Sequence, residues 1–419
     1  MQQYDSYKDS GVQWLGEIPS HWEVKRLASY FSERRVKVSD EEFPPLSVTK
    51  NGIFHQLENV AKSNDGDNRK LVRCGDFVIN SRSDRKGSSG VSKYDGSVSL
   101  INIVLEPRKE KTLPDFCNYL LKSNAFIEEF YRNGRGIVAD LWTTRYDEMK
   151  MIKIPMPTLK EQTAIATYLD EQTSKIDIAI AQQQKMIDLL NERKQIIINR
   201  AVTKGLNPNA KMKDSGVEWI GDVPEGWEVI PLKYISSFTN GYAFDSNDFH
   251  DSGDVKVIRI GDIANDVIAN DDIAWVKYNK TLSPYLTCPN DILIAMSGAT
   301  TGKVGIDMEG GSYINQRVGV IRSNCQSWIF RWLNTTFFKE YVILSAMGSA
   351  QPNISAKGIM NFQITFPPKQ EIMAITSYIS SECGNINPII EACKSQISLL
   401  QERKQIIINE VVTGKVKVL

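Results

Sequence analysis

KDSGVQWLGEIPSHWEVKRL, residues 8–27, returns as KDSGVEWIGDVPEGWEVIPL, residues 213–232, with twelve of twenty positions identical. A second pair follows the same logic. IDLLNERKQIIINRAVT, residues 187–203, matches ISLLQERKQIIINEVVT, residues 397–413, at thirteen of seventeen positions. The first pair is offset by 205 residues and the second by 210, so one plan has been built twice. Between these anchors, stretches 28–153 and 233–363 share little obvious similarity, and their lengths differ by only the five residues by which the offset grows. The shared pieces read as a scaffold, and the divergent pieces as two modules doing one job on two targets. A duplicated enzyme would repeat its catalytic residues, and none recur in the middles.

The second anchor has helical periodicity. Leu169, Ile176, Gln183, Leu190 and Ile197 fall seven apart, as do Thr173, Ile180, Ile187, Lys194 and Ala201. The other copy gives Ile379, Ile386, Cys393, Leu400 and Ile407, with Cys383, Ile390, Ile397, Lys404 and Val411. Each set is a seam of the coiled-coil type, with Lys194 and Lys404 at the same seam position. Pro388 lacks an N–H and clashes with the preceding turn, so the reading starts a helix there, with Asn387 as its cap. This splits each region into a short helix (about 160–171 and 369–381) and a long one. The first long helix then runs from about 175 to 203, capped by Ser174 and stopped at Gly205. At ~1.5 Å per residue it is roughly 44 Å long. If the two long helices pack antiparallel, residues 1–27 meet the end of the second, as residues 206–232 follow the first. That arrangement is near-circular, with pseudo-two-fold symmetry.

The expected domains are 1–153, connector and first module; 154–205, central helical spacer; 206–363, connector and second module; and 364–419, C-terminal helical spacer. Strand-like pieces such as DFVIN from Asp76 and DILIAM from Asp291 make the modules α/β or α+β. The KDSG segments read as irregular connectors anchored by Trp14, Trp22, Trp219 and Trp227.

Composition sets limits. Of 419 residues, 42% are hydrophobic and 24% charged, as expected of soluble globular domains. The longest apolar runs are a few residues, such as Ile196–Ile198, and the N-terminus MQQYDSYKDS lacks a signal-peptide core, so a cytoplasmic protein without a membrane span is expected. Six scattered cysteines without a CxxC pair fit a reducing compartment. Fifty basic and fifty acidic residues cancel. Bulk charge therefore gives nucleic-acid binding no support.

Signs of chemistry are sparse. Gly298-Ala299-Thr300-Thr301-Gly302-Lys303-Val304 resembles a phosphate loop, but the spacing is one residue short and Val304 replaces the magnesium-binding hydroxyl. Glu192-Arg193-Lys194 and Glu402-Arg403-Lys404 contain the Glu-x-Lys of some nucleases, yet their lysines lie on the helical seam. His21, His55 and His250 are not at metal spacing. No G-x-S-x-G elbow, G-x-G-x-x-G fingerprint or Asn-Pro-Pro-aromatic motif is present.

In the order, duplication and spacing of its motifs, the chain resembles type I restriction-modification specificity subunits over essentially its full length. The matching pieces are WLGEIPSHWE (14–23) and WIGDVPEGWE (219–228), IPMPTLKEQTAIATYLD (154–170) and ITFPPKQEIMAITSYIS (364–380), and the ERKQIIIN helices. NDILIAMSGATTGKVGI (290–306) and YINQRVGVI (313–321) are similar to the family's target-recognition domains. Two departures stand out. Gln370-Glu371-Ile372 lacks the Glu-Gln pair kept at Glu161-Gln162, and SRSDRKGSSG (81–90) only loosely parallels the loop of the second module.

The resemblance implies a non-catalytic subunit with two target-recognition domains, each reading half of a bipartite site in double-stranded DNA. An antiparallel helix pair would be the coiled-coil spacer. It further implies two methyltransferase subunits and two motor-nuclease restriction subunits as partners. S-adenosylmethionine, ATP and magnesium would belong to those partners, and this chain would hold no cofactor or metal. Major-groove faces recur every ~34–36 Å, a distance that a helix of roughly 44 Å can bridge.

Polar loops following strands are the expected DNA contacts. In the second module these offer Ser297, Thr300, Thr301, Lys303, Asn315, Gln316 and Arg317, then Gln351 and Asn353. The first offers Asn80, Arg82, Arg85 and Lys86, then Arg132 and Arg135. Arg and Lys can hold phosphates or guanine edges, and Asn and Gln can pair with adenine. Two alternatives remain at the level of sequence: a free-standing fused nuclease or methyltransferase, and a coiled-coil adaptor whose modules bind proteins.

Overall fold

The computed structural model describes residues 2–56, 66–136, 142–264, 267–268, 274–346 and 352–418. The chain divides into two compact units, one of Met1–Gln184 with Lys394–Leu419, the other of Lys185–Cys393. Each unit combines an α+β module with one stretch of each long helix.

The first unit is built on a four-stranded antiparallel sheet, in the order Ser89–Val91, Phe77–Asn80, Asn102–Pro107, Phe31–Glu33. Phe77–Asn80 is buried along its whole length, as the apolar run Phe77–Ile79 requires of a central strand. Helices Pro114–Lys122 and Asn124–Arg132 pack their apolar faces into the same core, where Phe116, Leu120, Leu121, Phe126 and Phe130 are fully buried. The Ser123 hydroxyl accepts from Phe126 N–H and caps the second helix.

The second unit repeats the plan. Its sheet runs Ser237–Asn240, Val318–Arg322, Asp291–Ala295, Val304–Asp307. Helices Gln326–Leu333 and Thr336–Ala346 cover it, and the Thr335 hydroxyl accepts from Phe338 N–H as Ser123 does in the first unit. The central strands begin alike. Asp76 accepts from Arg73 N–H and pairs with Arg34 at 2.7 Å. Asp291 accepts from Cys288 N–H and pairs with Arg322 at 2.6 Å.

The long helices differ from the expectation. Leu159–Lys204 and Lys369–Val412 are each continuous, so neither Ser174 nor Asn387 starts a new helix. Pro388 sits inside the second helix, on an exposed face. The carbonyl that its missing N–H leaves unpaired, that of Gly384, is also exposed and can turn to water, so the cost is tolerable. Asn387 is used elsewhere: its Oδ1 accepts from Lys194 Nζ at 2.8 Å. The stop at Gly205 holds, with φ at +69° and its N–H bonded to Ala201 O.

All twenty seam residues are buried or half-buried, while Leu189, Ile196, Leu399 and Ile406, off the seam, are exposed. The helices run antiparallel in each unit. In the first, Lys404 meets Asp177; in the second, Lys194 meets Asn387.

The KDSG segments are ordered hairpins rather than irregular connectors: Tyr7–Asp9 with Glu17–Pro19, and Met212–Asp214 with Asp222–Pro224. Trp22 and Trp227 are fully buried anchors. Trp22 Nε1 donates to Glu161 at 3.1 Å and Trp227 Nε1 to Glu371 at 2.9 Å, tying each hairpin to the first turns of a long helix. Trp14 packs edge-on to Phe126, whereas Trp219 is 41% exposed and stacks on Phe362. The start of the chain meets the end of the second long helix as expected. Leu15, Ile18 and Trp22 share a core with Ile408, Val411 and Val412, and Gln2 pairs with Lys417.

Candidate nucleic-acid interface

The sheet of each unit ends in a loop of the same construction. In the second unit, strand Asp291–Ala295 leads through a 3-10 turn, Gly298–Thr300, into the antiparallel strand Val304–Asp307. A phosphate loop opens a helix after its strand; this loop closes a hairpin. A short crossing segment staples it: Ser297 pairs with Asn353, Gly298 N donates to Pro352 O at 3.0 Å, and Ile354 N to Met296 O at 2.9 Å.

In the first unit, Phe77–Asn80 leads through a 3-10 turn, Ser83–Arg85, into Ser89–Val91. Here Arg82 pairs with Thr143, Ser83 N donates to Trp142 O at 3.1 Å, and Thr144 N to Ser81 O at 3.0 Å. Residue by residue, Arg82 stands where Ser297 does, Arg85 where Thr300 does, Lys86 where Thr301 does and Thr143 where Asn353 does. Gly87 and Gly302 close the turns at φ +81° and +82°. The two loops, loosely parallel in sequence, are one device in backbone geometry.

The expected contact residues are distributed as follows. In the second unit Lys303, Gln316, Arg317 and Asn353 are exposed, and Ser297, Thr300, Thr301 and Asn315 are half-buried. Met296 N donates to Arg317 O at 2.9 Å, so segment 315–317 lies beside the stapled loop. Gln316 N–H donates to Asn315 Oδ1. Strand Ser237–Asn240 ends at Gly241, where a Cβ would stand only 2.0 Å from Asn315 O, so only glycine allows this approach. The Thr301 hydroxyl donates to Gly298 O and Pro352 O, and locks the turn. Gln351 lies outside the described residues.

In the first unit Arg82, Arg85, Lys86, Arg132 and Arg135 are exposed, and Asn80 is buried. Asn80 Oδ1 accepts from Arg82 N–H and its carbonyl from Tyr131 OH, so the residue shapes the loop from beneath. Thr143 pairs with Arg82 on one side and Arg135 on the other, bringing together two arginines far apart in sequence. Lys86 contacts Glu128 at 2.7 Å, Arg132 contacts Glu129, and Arg135 contacts Glu148 at 3.3 Å. The Lys86–Glu128 pair is exposed on both sides, so it is worth little and can exchange for phosphate; Arg132 and Arg135 are exposed although their carboxylate partners are largely covered. Thr143 was missed by sequence reasoning, because no local pattern marks a residue that a distant strand end will meet.

The architecture is two α+β modules with matching stapled polar loops, each set on an antiparallel pair of helix stretches. Known proteins share it. Residues 224–398 match the family model described as type I restriction modification DNA specificity domain. The chain is 26% identical to the type I restriction enzyme MjaVIII specificity subunit of Methanocaldococcus jannaschii, over 96% of this chain and 94% of that one. It is 25% identical to the putative type I restriction enzyme MjaX specificity subunit of the same organism, over 96% of each. In fold it is similar to a chain from a structure described as the basis of complex assembly and conformational transition of the type I R-M system. That match has a TM-score of 0.70 at 16% identity and covers 95% of this chain and 99% of the other. The chain is thus similar over almost its whole length to type I restriction-modification specificity subunits, and residues 224–398 match their DNA specificity domain. Among the described residues, no helix is long and apolar enough to cross a membrane.

Proposed function

We propose that this chain reads a bipartite DNA site, one half with each module, as the specificity subunit of a type I restriction-modification complex. The observation that carries the reading is the duplicated loop: the same stapled turn occurs twice, with different polar side chains at matching positions. Loops with the same turn and staple, bearing Arg82, Arg85 and Lys86 in one copy and Ser297, Thr300 and Thr301 in the other, suit two readers of different sequences. Arg317, Gln316 and Asn353 supply the donors and acceptors that base edges require, and the arginines of the first module suit guanine edges or phosphates.

The remaining parts of the reading follow from it. The helix pair sets the gap between half-sites. Two methyltransferase subunits and two motor-nuclease subunits dock on the chain in the cytoplasm. The methyl donor S-adenosylmethionine, ATP and magnesium are bound by those partners. The test is selection from randomised duplexes by the purified full chain, alone and with its methyltransferase partner. Two blocks of preferred bases at a fixed gap are expected; a single block, or no sequence preference, would contradict the proposal.

A further inference from the structure

A cleft of about 670 Å³ opens in the second unit between the helices and the stapled loop. Thr301, Gly302 and Lys303 form its loop edge; Lys194, Arg331 and Lys339 are the cations of its other walls, which also carry apolar side chains such as Ile198 and Val342, and Glu192 is the one carboxylate among its lining residues. Lys303 and Lys339 are exposed and have no ion-pair partner among the described residues. Arg331 donates through Nη2 to Ser380 Oγ at 2.8 Å, but its Nε is buried without a hydrogen-bond partner among the described residues. Gln195, also on the wall, keeps a buried Oε1 in the same condition.

The first unit shows what the scaffold does when it is self-neutralised. The helix repeat matches Lys194 with Lys404 and Asn387 with Asp177. Lys404 donates to both Asp177 oxygens at 2.7 Å, whereas among the described residues Lys194 has only the neutral Asn387. The repeat likewise matches Ser380, the neutral partner of Arg331, with Asp170, which accepts from Tyr119 in the first unit. Two carboxylates of the first unit have become neutral side chains in the second, and the cations beside them are left uncompensated.

We propose that this cleft seats a backbone phosphodiester of the DNA strand lying beside the loop of the second module. The inference rests on the DNA-reading function proposed above and adds to it a sequence-independent contact that fixes register in one half-site only. A guanidinium and mobile ammonium groups around one concavity suit a phosphate's several acceptor oxygens. The edge shared with Thr301–Lys303 places the site next to the groove being read.

The test measures affinity of the full chain for its selected site and for a random duplex, at 50 and 200 mM salt. It compares Lys194→Gln, Lys339→Gln, the matched control Lys404→Gln, and Arg317→Ala in the reading loop. Each lost phosphate contact lowers the salt exponent by about 0.9, so each cleft variant should shrink the affinity loss between the two salts by about 3.5-fold. Both duplexes should be affected equally, and Lys404→Gln should behave as the parent. Lys339 is exposed, so its variant decides the matter if Lys194→Gln lowers the melting temperature. Unchanged salt dependence in the cleft variants, with discrimination lost in Arg317→Ala, would overturn the inference and leave the reading function standing. No effect of any variant, Arg317→Ala included, would remove the reading function as well. Binding of inorganic phosphate or ATP, abolished by Lys339→Gln without change in the DNA salt dependence, would show a free-anion site and overturn the assignment to DNA.

Discussion

Glu161 does the work of a keystone at the residue scale. Burial pushes its carboxyl upward, but hydrogen bonds from His21, Trp22 and Thr158 outweigh that and hold it below the usual carboxylate range. A group whose folded pKa is lowered contributes stability above its unfolded pKa, about 4.3, and the contribution is lost as pH falls through the folded value. Glu161→Gln should therefore lower stability by about 1.5–3 kcal/mol at neutral pH. In melting curves taken from pH 7 to pH 3, the difference from the parent should narrow as pH falls below the unfolded value of about 4.3; a gap independent of pH would contradict the assignment. The two turn glycines make a second residue-scale prediction. Gly87→Ala meets only ordinary contact at Ile127 and should cost the left-handed strain of roughly 1–2 kcal/mol. At Gly302 the new methyl would also stand 2.9 Å from Val342, so Gly302→Ala should cost more, by about 1–3 kcal/mol. Equal melting temperatures for the two variants would count against the Val342 contact at Gly302. Sequence alone marked most of the polar loop residues but could not separate roles: Asn80 and Thr301 are occupied by backbone groups, and Thr143 became visible only once strands were paired.

At the scale of elements, the repeat ERKQIIIN acquires a physical purpose. Its last residue fastens the long helix to the module in each unit. Asn199 accepts from Thr336 N–H at 3.3 Å and donates to Thr336 Oγ1 at 2.7 Å; Asn409 accepts from Ala125 N–H at 3.5 Å. Asn199→Ala should thus destabilise by about 1 kcal/mol and Asn409→Ala by less, read from denaturant unfolding of the full chain; the reverse order would contradict this reading. The seam was legible, because heptad spacing reports directly which face is buried. Helix continuity was not. A proline at an exposed position, following a solvent-facing carbonyl, costs one hydrogen bond rather than the helix, and nothing in a bare sequence tells exposed from buried at Pro388. The proposed spacer role can be tested with these helices. Inserting four residues after both Gln184 and Cys393 adds ~6 Å of rise while roughly keeping the seam in phase. The gap between selected half-sites should grow by about one to two base pairs at 3.4 Å each. An unchanged gap in a stable, binding-competent variant would leave the helices as a docking surface only.

At the scale of the whole molecule, the duplication carries the most information and is plain in the match of residues 8–27 with 213–232. The matching sheet orders, caps and stapled loops of the two units lay beyond sequence comparison, because backbone hydrogen bonds and a few glycines maintain them while the side chains diverge. That divergence over a constant frame is what two independent readers need. The most direct measurement is therefore an exchange: residues 28–153 are replaced by the corresponding module of a related subunit with a different target, and the DNA selected by the folded chimera is compared with that of the parent. The block of bases read by the first module should change to the donor's, with the other block and the gap unchanged. A change in both blocks, or loss of all sequence preference in a well-folded chimera, would contradict two separable readers on a shared scaffold.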